Sequence, residues 1–389
     1  MPPQTSVFSQ IVSCLFQTEF ARCAERFPCT RVTRSFSEYD HFLALGFGQL
    51  TQRESLRAIV ACLNSKKPML YHLGFRGAIT RTNLAYASKH RDGRLFQAIA
   101  ETLMRRASRI YHHQPTDPDL PEISFALDSS IIRLSLNLCP WGYWARTKQA
   151  ALKLHLLLSL KGQVPAWASI TEATFPDMKI LDQIPVAPGA FYIMDRGYLD
   201  FVRLYRIHKA GGFFVVRCKR HVKFSLLESR PVEKENHLRA DQTVRLKSNW
   251  SVKSFPEPLR RVTVYDPEHQ LFLILLTNNF ELSAEVIAEL YRRRWKVELF
   301  FKWIKQHLKI RGFYGRSENA VRCQIWSAIS VYLMVAILKK ELGIKKSLYE
   351  ILQIISVSAF EQVTLTELLA EHADSSKPND FQNTFNLNN

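Results

Sequence analysis

Residues 123–134 read ISFALDSSIIRL. β-Branched and apolar residues dominate this stretch, so it predicts a strand. Asp128 follows the apolar run Phe125-Ala126-Leu127 and is expected where that strand ends. A carboxylate there must be solvated, paired or bound to metal, because burying it alone is very costly. Towards the C-terminus, LKLHLLLSL (152–160), Lys161-Gly162-Gln163 and VPAWASIT (164–171) read as a hairpin. A short helical stretch near Met178–Ile184 comes next. AFYIMD (190–195) is a fourth strand, ending on Asp195. Leu199–Lys209 predicts a helix stopped by Gly211-Gly212, and FFVVRC (213–218) a fifth strand. The order β-β-β-α-β-α-β belongs to the α/β class, as a mixed sheet with flanking helices. Ligands gather at the carboxyl ends of strands in such sheets, which makes both aspartates candidates.

Upstream of these strands, Gln114 to Pro121 holds Pro115, Pro118 and Pro121 with Asp117 and Asp119 between them, the pattern of a linker. Residues 1–113 pattern as helices, with Thr51 expected to cap one of them three residues before Glu54. Arg81, Lys89, Arg91, Arg94, Arg105, Arg106 and Arg109 lie between apolar residues there. They fit either a solvated helix face or a DNA-contacting module. Downstream, residues 219–282 are polar and basic, with strand-like pieces at Thr243–Leu246, Val262–Tyr265 and Leu271–Leu276, and read as a β-rich insertion. One long helix is expected from near Ser283 to about Ile310, and further helices over 319–371. The tail from Asp374 to Asn389 is polar and Asn-rich, an expected disordered end. The division that results is a helical N-terminal domain (1–118), a mixed α/β domain (119–335) with the insertion at about 219–282, and a helical C-terminal region with its tail (336–389).

Composition narrows the function classes. The chain has 389 residues, 53 Lys+Arg against 35 Asp+Glu, and a net charge of +18. With 47% hydrophobic residues it can build a large core, which excludes a disordered polyelectrolyte. The charge points to a polyanion, most often nucleic acid. Seven scattered cysteines without a Cys-x-x-Cys pair fit a reduced, cytoplasmic compartment. IWSAISVYLMVAIL (325–338) is shorter than the roughly 20 residues that span a bilayer, so it reads as a core helix and no membrane is expected as a partner. There is no GxxxxGK[ST] loop for ATP and no GxSxG elbow for serine hydrolysis.

Residues 291–305 read YRRRWKVELFFKWIK. At about 100° per residue, Tyr291, Arg294, Glu298 and Lys305 fall within one arc of about 60°. The stripe is roughly 21 Å long, with Tyr291 and Lys305 each about 10 Å from Glu298. That is too far to share a metal with it, but suited to a row of phosphates. Other features have ordinary explanations. His112-His113 reads as a surface loop, and His155 as a hydrogen-bonded core residue in its apolar strand.

The spacing Tyr-(2)-Arg-(3)-Glu-(6)-Lys, met by Tyr291, Arg294, Glu298 and Lys305, resembles the YREK signature of bacterial insertion-sequence transposases with an RNase H-like DDE domain. Asp195-Arg196-Gly197-Tyr198 resembles the second-aspartate motif of that group, and Leu127-Asp128-Ser129-Ser130 the first. The strand order is also that of the RNase H-like fold, and GQLTQRESLRAIVACLN (48–64) resembles the helical domain that precedes it in part of the family. The resemblance implies cut-and-paste transposition: binding of the element's terminal inverted repeats, cleavage, and joining to target DNA. It further implies a hairpin intermediate, a homodimer in the synaptic complex, and a bacterial, nucleoid-associated location. Asp128, Asp195 and Glu298 are then the catalytic metal ligands for two Mg²⁺ ions, with Mn²⁺ able to substitute. Tyr291, Arg294 and Lys305 would hold DNA phosphates, and Trp295 would stack on a flipped base. Trp250 is a weaker stacking candidate. Asp177 follows Pro176 where many relatives have His, which leaves its role open. The rival reading is a non-catalytic DNA-binding repressor or a domesticated descendant.

Overall fold

The computed structural model describes residues 5–28, 36–112, 121–136, 139–144, 149–232, 237–310 and 312–370. The proline-rich linker (except Pro121), His113, Cys29 and the tail lie outside them. Six helices come first: α1 (Val7–Val12), α2 (Gln17–Arg26), α3 (Glu38–Leu50), α4 (Leu56–Ser65), α5 (Arg81–His90) and α6 (Arg94–His112). Four strands follow: β1 (Ser124–Leu134), β2 (Tyr143–Trp144), β3 (Gln149–Ser159) and β4 (Pro165–Glu172). Next come β5 (Phe191–Met194), α7 (Phe201–Lys209) and β6 (Phe213–Arg217). The region expected as an insertion forms β7 (Phe224–Arg230), β8 (Leu238–Leu246), α8 (Asn249–Ser254), β9 (Leu259–Asp266) and β10 (Leu271–Thr277). The chain continues with α9 (Ala284–Arg293), α10 (Trp295–His307), α11 (Glu318–Glu341), α12 (Leu348–Ser358) and α13 (Leu365–Leu368).

All ten strands form one mixed sheet in the order β2-β3-β1-β5-β6-β10-β9-β8-β7, with β4 also paired to β3. β3 runs antiparallel to β1 and β4, whereas β1, β5 and β6 are mutually parallel. This is the RNase H-like arrangement that the strand order implied. The insertion does not stand apart from it: β10 pairs antiparallel with β6 and carries the sheet on through β9, β8 and β7. An unpaired β6 edge would expose a row of backbone donors and acceptors, which this pairing satisfies.

Alternation along each strand sorts side chains between layers. Ala126 and Ile132 of β1 join Leu154, Leu156 and Leu158 of β3 in a core shared with the N-terminal helices, α10, α11 and α12. Leu127, Tyr192, Met194 and Phe214 turn to the opposite face, under α7 and α8. Phe191, Ile193 and Val215 pack against α9. α11 is long and apolar enough to cross a membrane, but 89% of its apolar window is buried in the protein, against α6 and α3 among others. It is a core helix, as its short apolar run suggested. Each of its fully buried Ile, Val and Leu side chains contributes roughly 1.5–3 kcal/mol.

Three local expectations are corrected. Ser55, not Thr51, caps α4: its side chain accepts from the Ala58 amide. Thr51 ends α3 instead, donating its hydroxyl to the Phe47 carbonyl, and Gln52 takes φ 57° to turn the chain. The single long helix is two, α9 and α10. At Arg294 the bonds Arg294 N–H to Tyr291 and Val297 N–H to Arg294 span three residues rather than four, so the helix is overwound there. Asp128 is not at the end of β1 but inside it. What ends beside it is the parallel pairing with β5, whose last partners are Leu127 and Met194. The Gly211 stop does hold: Gly211 sits at φ +76° directly after the α7 cap residue Ala210, a conformation that costs glycine little.

Candidate active site

The site grows from the place where β5 stops and β1 continues. Asp195 follows the last residue of β5 and opens a short 3₁₀ turn, Arg196–Tyr198. Asp128 lies one residue past the β1–β5 pairing, on the face covered by α10. Its Oδ1 accepts the Ser129 amide at 2.8 Å. α10 brings Glu298 from above, and the overwound turn at Arg294 sets the guanidinium between two carboxylates. Arg294 Nη2 donates to Glu298 Oε1 at 2.6 Å, and its Nη1 lies 3.7 Å from Asp128 Oδ2. Its Nε is buried with no hydrogen-bond partner. Tyr291, the last buried residue of α9, donates its hydroxyl to Asp195 Oδ1 at 3.1 Å. Lys305 Nζ reaches Ser130 Oγ at 2.5 Å.

The four-residue stripe thus meets one stretch of the sheet, Asp128–Ser130 and Asp195, despite the interrupted helix. Trp295 is on α10 but points away, 56% exposed. Trp250 is also exposed, on α8 of the extended sheet.

Glu298 and Asp195 both lie within electrostatic reach of Asp128. Burial pushes Asp128 up to about 6, the charges of Glu298 and Asp195 push the same way, and the Ser129 amide and Arg294 oppose them. Tyr291 is pushed to about 12, by burial and then by Asp195, so its phenol stays a donor. Among the described residues, no three Asp, Glu, His or Cys side chains converge to metal-binding distance. Asp128 and Glu298 close on Arg294, and Asp195 on Tyr291. The donor set is nevertheless all carboxylate oxygen, which suits a hard divalent cation, and the mutual repulsion at Asp128 is what such a cation relieves.

Several side chains at the site were not singled out from the sequence. A cavity of about 490 Å³ adjoins Asp195, lined by Arg196, Gly197, Arg217, Cys218, Lys219, Arg220, His221, Phe272 and Ile274. The signal was the basic run Arg217-Cys218-Lys219-Arg220 at the carboxyl end of β6. Behind β1, Ser129 Oγ and Lys153 Nζ both donate to Asp177 Oδ1, at 2.7 and 3.1 Å. Residues set aside from the sequence keep ordinary roles. His155 is fully buried, bonds Thr171 Oγ1 at 2.9 Å, and is held down to about 4 by burial. In the basic N-terminal stretch, Arg91 donates to the Ser37 and Phe36 carbonyls, Arg94 pairs with Asp92, and Arg106 bonds the Cys14 carbonyl and Glu341. Arg91 and Arg106 are structural, while Arg81, Lys89, Arg94, Arg105 and Arg109 are exposed.

The family model for the transposase DDE domain matches residues 120–334, more than half of the chain. A model for a domain of unknown function matches residues 3–76. A protein of Sinorhizobium fredii described as a transposase is 36% identical over 215 residues, 54% of this chain and 59% of that one. One of Geobacillus stearothermophilus, described as a transposase for an insertion sequence, is 30% identical over 213 residues, 54% of this chain and 55% of that one. A third, from Synechocystis, described as an insertion-sequence transposase, is 24% identical over 289 residues, 72% and 78% of the two chains. The matches to the first two relatives thus span little more than half of their lengths.

Proposed function

The chain belongs to the family of transposases with a DDE domain, and from that premise we propose that it binds the ends of its own insertion sequence and catalyses metal-dependent DNA cleavage and strand transfer. Asp128, Asp195 and Glu298 are the catalytic carboxylates and would hold two Mg²⁺ ions. When bound, such ions activate the attacking water or 3′-hydroxyl and stabilise the leaving oxygen of an in-line displacement. The observation that supports this reading is the placement of the three carboxylates, on β1, after the end of β5 and on α10, with Arg294 between Asp128 and Glu298 and Tyr291 on Asp195.

The chain's other residues then bind and orient. Arg294 holds Glu298 and faces Asp128, and turns its remaining donors to a phosphate beside the scissile bond. Tyr291 keeps its proton and fixes Asp195. Lys305 extends the same line to a further phosphate, and Trp295 presents an exposed ring on which an unstacked base can rest. The cavity lined by Arg196, Arg217, Lys219 and Arg220 takes the backbone of a strand passing Asp195. Residues 1–118 serve end recognition and 119–335 catalysis. Two ends must be joined together, so a homodimer is the working unit, and the +18 charge draws it to DNA.

The test is a labelled DNA fragment carrying the element's own ends, incubated with Mg²⁺, with EDTA, and with an Asp195→Ala variant. Cleavage at the element boundary that needs both metal and Asp195 is expected. Binding without cutting would transfer the assignment to a repressor.

A further inference from the structure

The polar chain behind β1 has no place in the roles above. Side chains alternate along a strand. Asp128 and Ser130 meet α10, through Arg294 and Lys305, so Ser129 faces the other side of the sheet. There its hydroxyl donates to Asp177 Oδ1 at 2.7 Å. The same oxygen accepts from Lys153 Nζ at 3.1 Å, and Lys153 donates also to the Phe175 carbonyl at 2.7 Å. Lys153 is buried, so this is a charge held in place by partners rather than a solvated surface pair. The chain attaches to β1 where the strand needs it. The pairing with β5 ends at Leu127, one residue before Asp128. Beyond that point, the backbone on that side is no longer fixed by a neighbouring ladder. Ser129 also supplies the amide that bonds Asp128 Oδ1 at 2.8 Å.

We propose that Asp177 is a positioning residue for Asp128: together with Lys153 it anchors Ser129, and the anchored Ser129 amide fixes the Asp128 carboxylate on the opposite face of β1. This rests on the reading of Asp128 as a metal ligand. Asp177 touches neither substrate nor metal and acts through two bonds, as outer-shell groups do. Loss of such groups typically weakens metal binding by about 10–100-fold.

The test uses the full chain without DNA. Mn²⁺ is titrated in, and the free ion is followed by its paramagnetic resonance signal. Thermal melting of the same samples reports folding. Ser129→Ala and Asp177→Ala should each weaken Mn²⁺ binding by about 10-fold or more. The double variant should be little worse than either alone, because both remove one chain of contacts. Asp177→Asn retains an acceptor for the Ser129 hydroxyl and should bind closer to the parent. Ser129→Ala creates no unpaired charge, so it reports even if Asp177→Ala melts early. Parent-like Mn²⁺ affinity in folded Ser129→Ala and Asp177→Ala proteins, with Asp128→Asn clearly weakened, would overturn the positioning role alone. If Asp128→Asn also left the affinity unchanged, the metal-ligand reading of Asp128 would fall, and this inference with it.

Discussion

Arg260, buried in the β8–β9 ladder, and Arg294, half-buried between β1 and α10, are both arginines facing carboxylates. Arg260 makes a two-pronged pair with Asp241, both bonds at 2.8 Å, and donates through Nη1 to the Leu282 carbonyl. Each nitrogen of its guanidinium has a partner, Asp241 also accepts from Arg230 at 3.4 Å, and these bonds tie the extended sheet to the start of α9. Arg294 is divided between Glu298 at 2.6 Å and Asp128 at 3.7 Å, and its Nε has no partner. Asp195 adds a third carboxylate within electrostatic reach of Asp128. A matched pair holds structure together. Two carboxylates that share one guanidinium are each only partly compensated.

The same substitution in the two regions should act in opposite directions. Asp241→Asn leaves the Arg260 charge buried without its counter-ion, and should lower stability by about 3–5 kcal/mol in denaturant titration. A loss below about 1 kcal/mol would mean that Arg260 is solvated and the contrast is false. Asp128→Asn should instead raise the stability of the metal-free protein at pH 7. The folded Asp128 titrates at about 6, above its ordinary 3.8. Between these values the folded state keeps a proton that the unfolded chain has lost, so the parent loses stability as pH rises from about 4 to 6. The Asn variant lacks that loss, a difference on the order of 2–3 kcal/mol at pH 7. Equal stability of parent and variant across this range would remove the strained-cluster description. The smallest effect sharpens the comparison at its edge. Lys305→Ala should weaken binding to DNA ends and flatten its salt dependence by about one unit of slope. An unchanged slope would take Lys305 out of the phosphate path.

Of this contrast the Arg294 side is legible in the sequence, and so is much of the fold. The strands announced themselves as apolar runs bounded by turns, and the stripe Tyr291, Arg294, Glu298 and Lys305 survives in space. What could not be read was non-local. Asp128 looked like a strand end because its own apolar run stops there. In fact β1 runs on against β3, and it is the β5 partner that stops. The joining of β10 to β6 depends on a pairing across more than fifty residues, which local pattern does not encode. Thr51 and Ser55 carry the same type of capping hydroxyl, and only the left-handed turn at Gln52 decides between them. Asp177 was left open because its neighbour in sequence, Pro176, is uninformative. Its neighbours in space, Ser129 and Lys153, are what give it a role.

The most direct measurement of the central claim is cleavage of an element-end fragment in Mg²⁺ by Glu298→Gln beside the parent, with end binding measured in parallel. Glutamine keeps the shape and can still accept from Arg294, but it lacks the charge that a metal ion requires. The expected result is parent-like end binding with cleavage reduced at least about 1,000-fold, roughly 4 kcal/mol of transition-state stabilisation. Cutting at the parent's rate by Glu298→Gln would contradict the assignment of the three-carboxylate cluster as the catalytic centre.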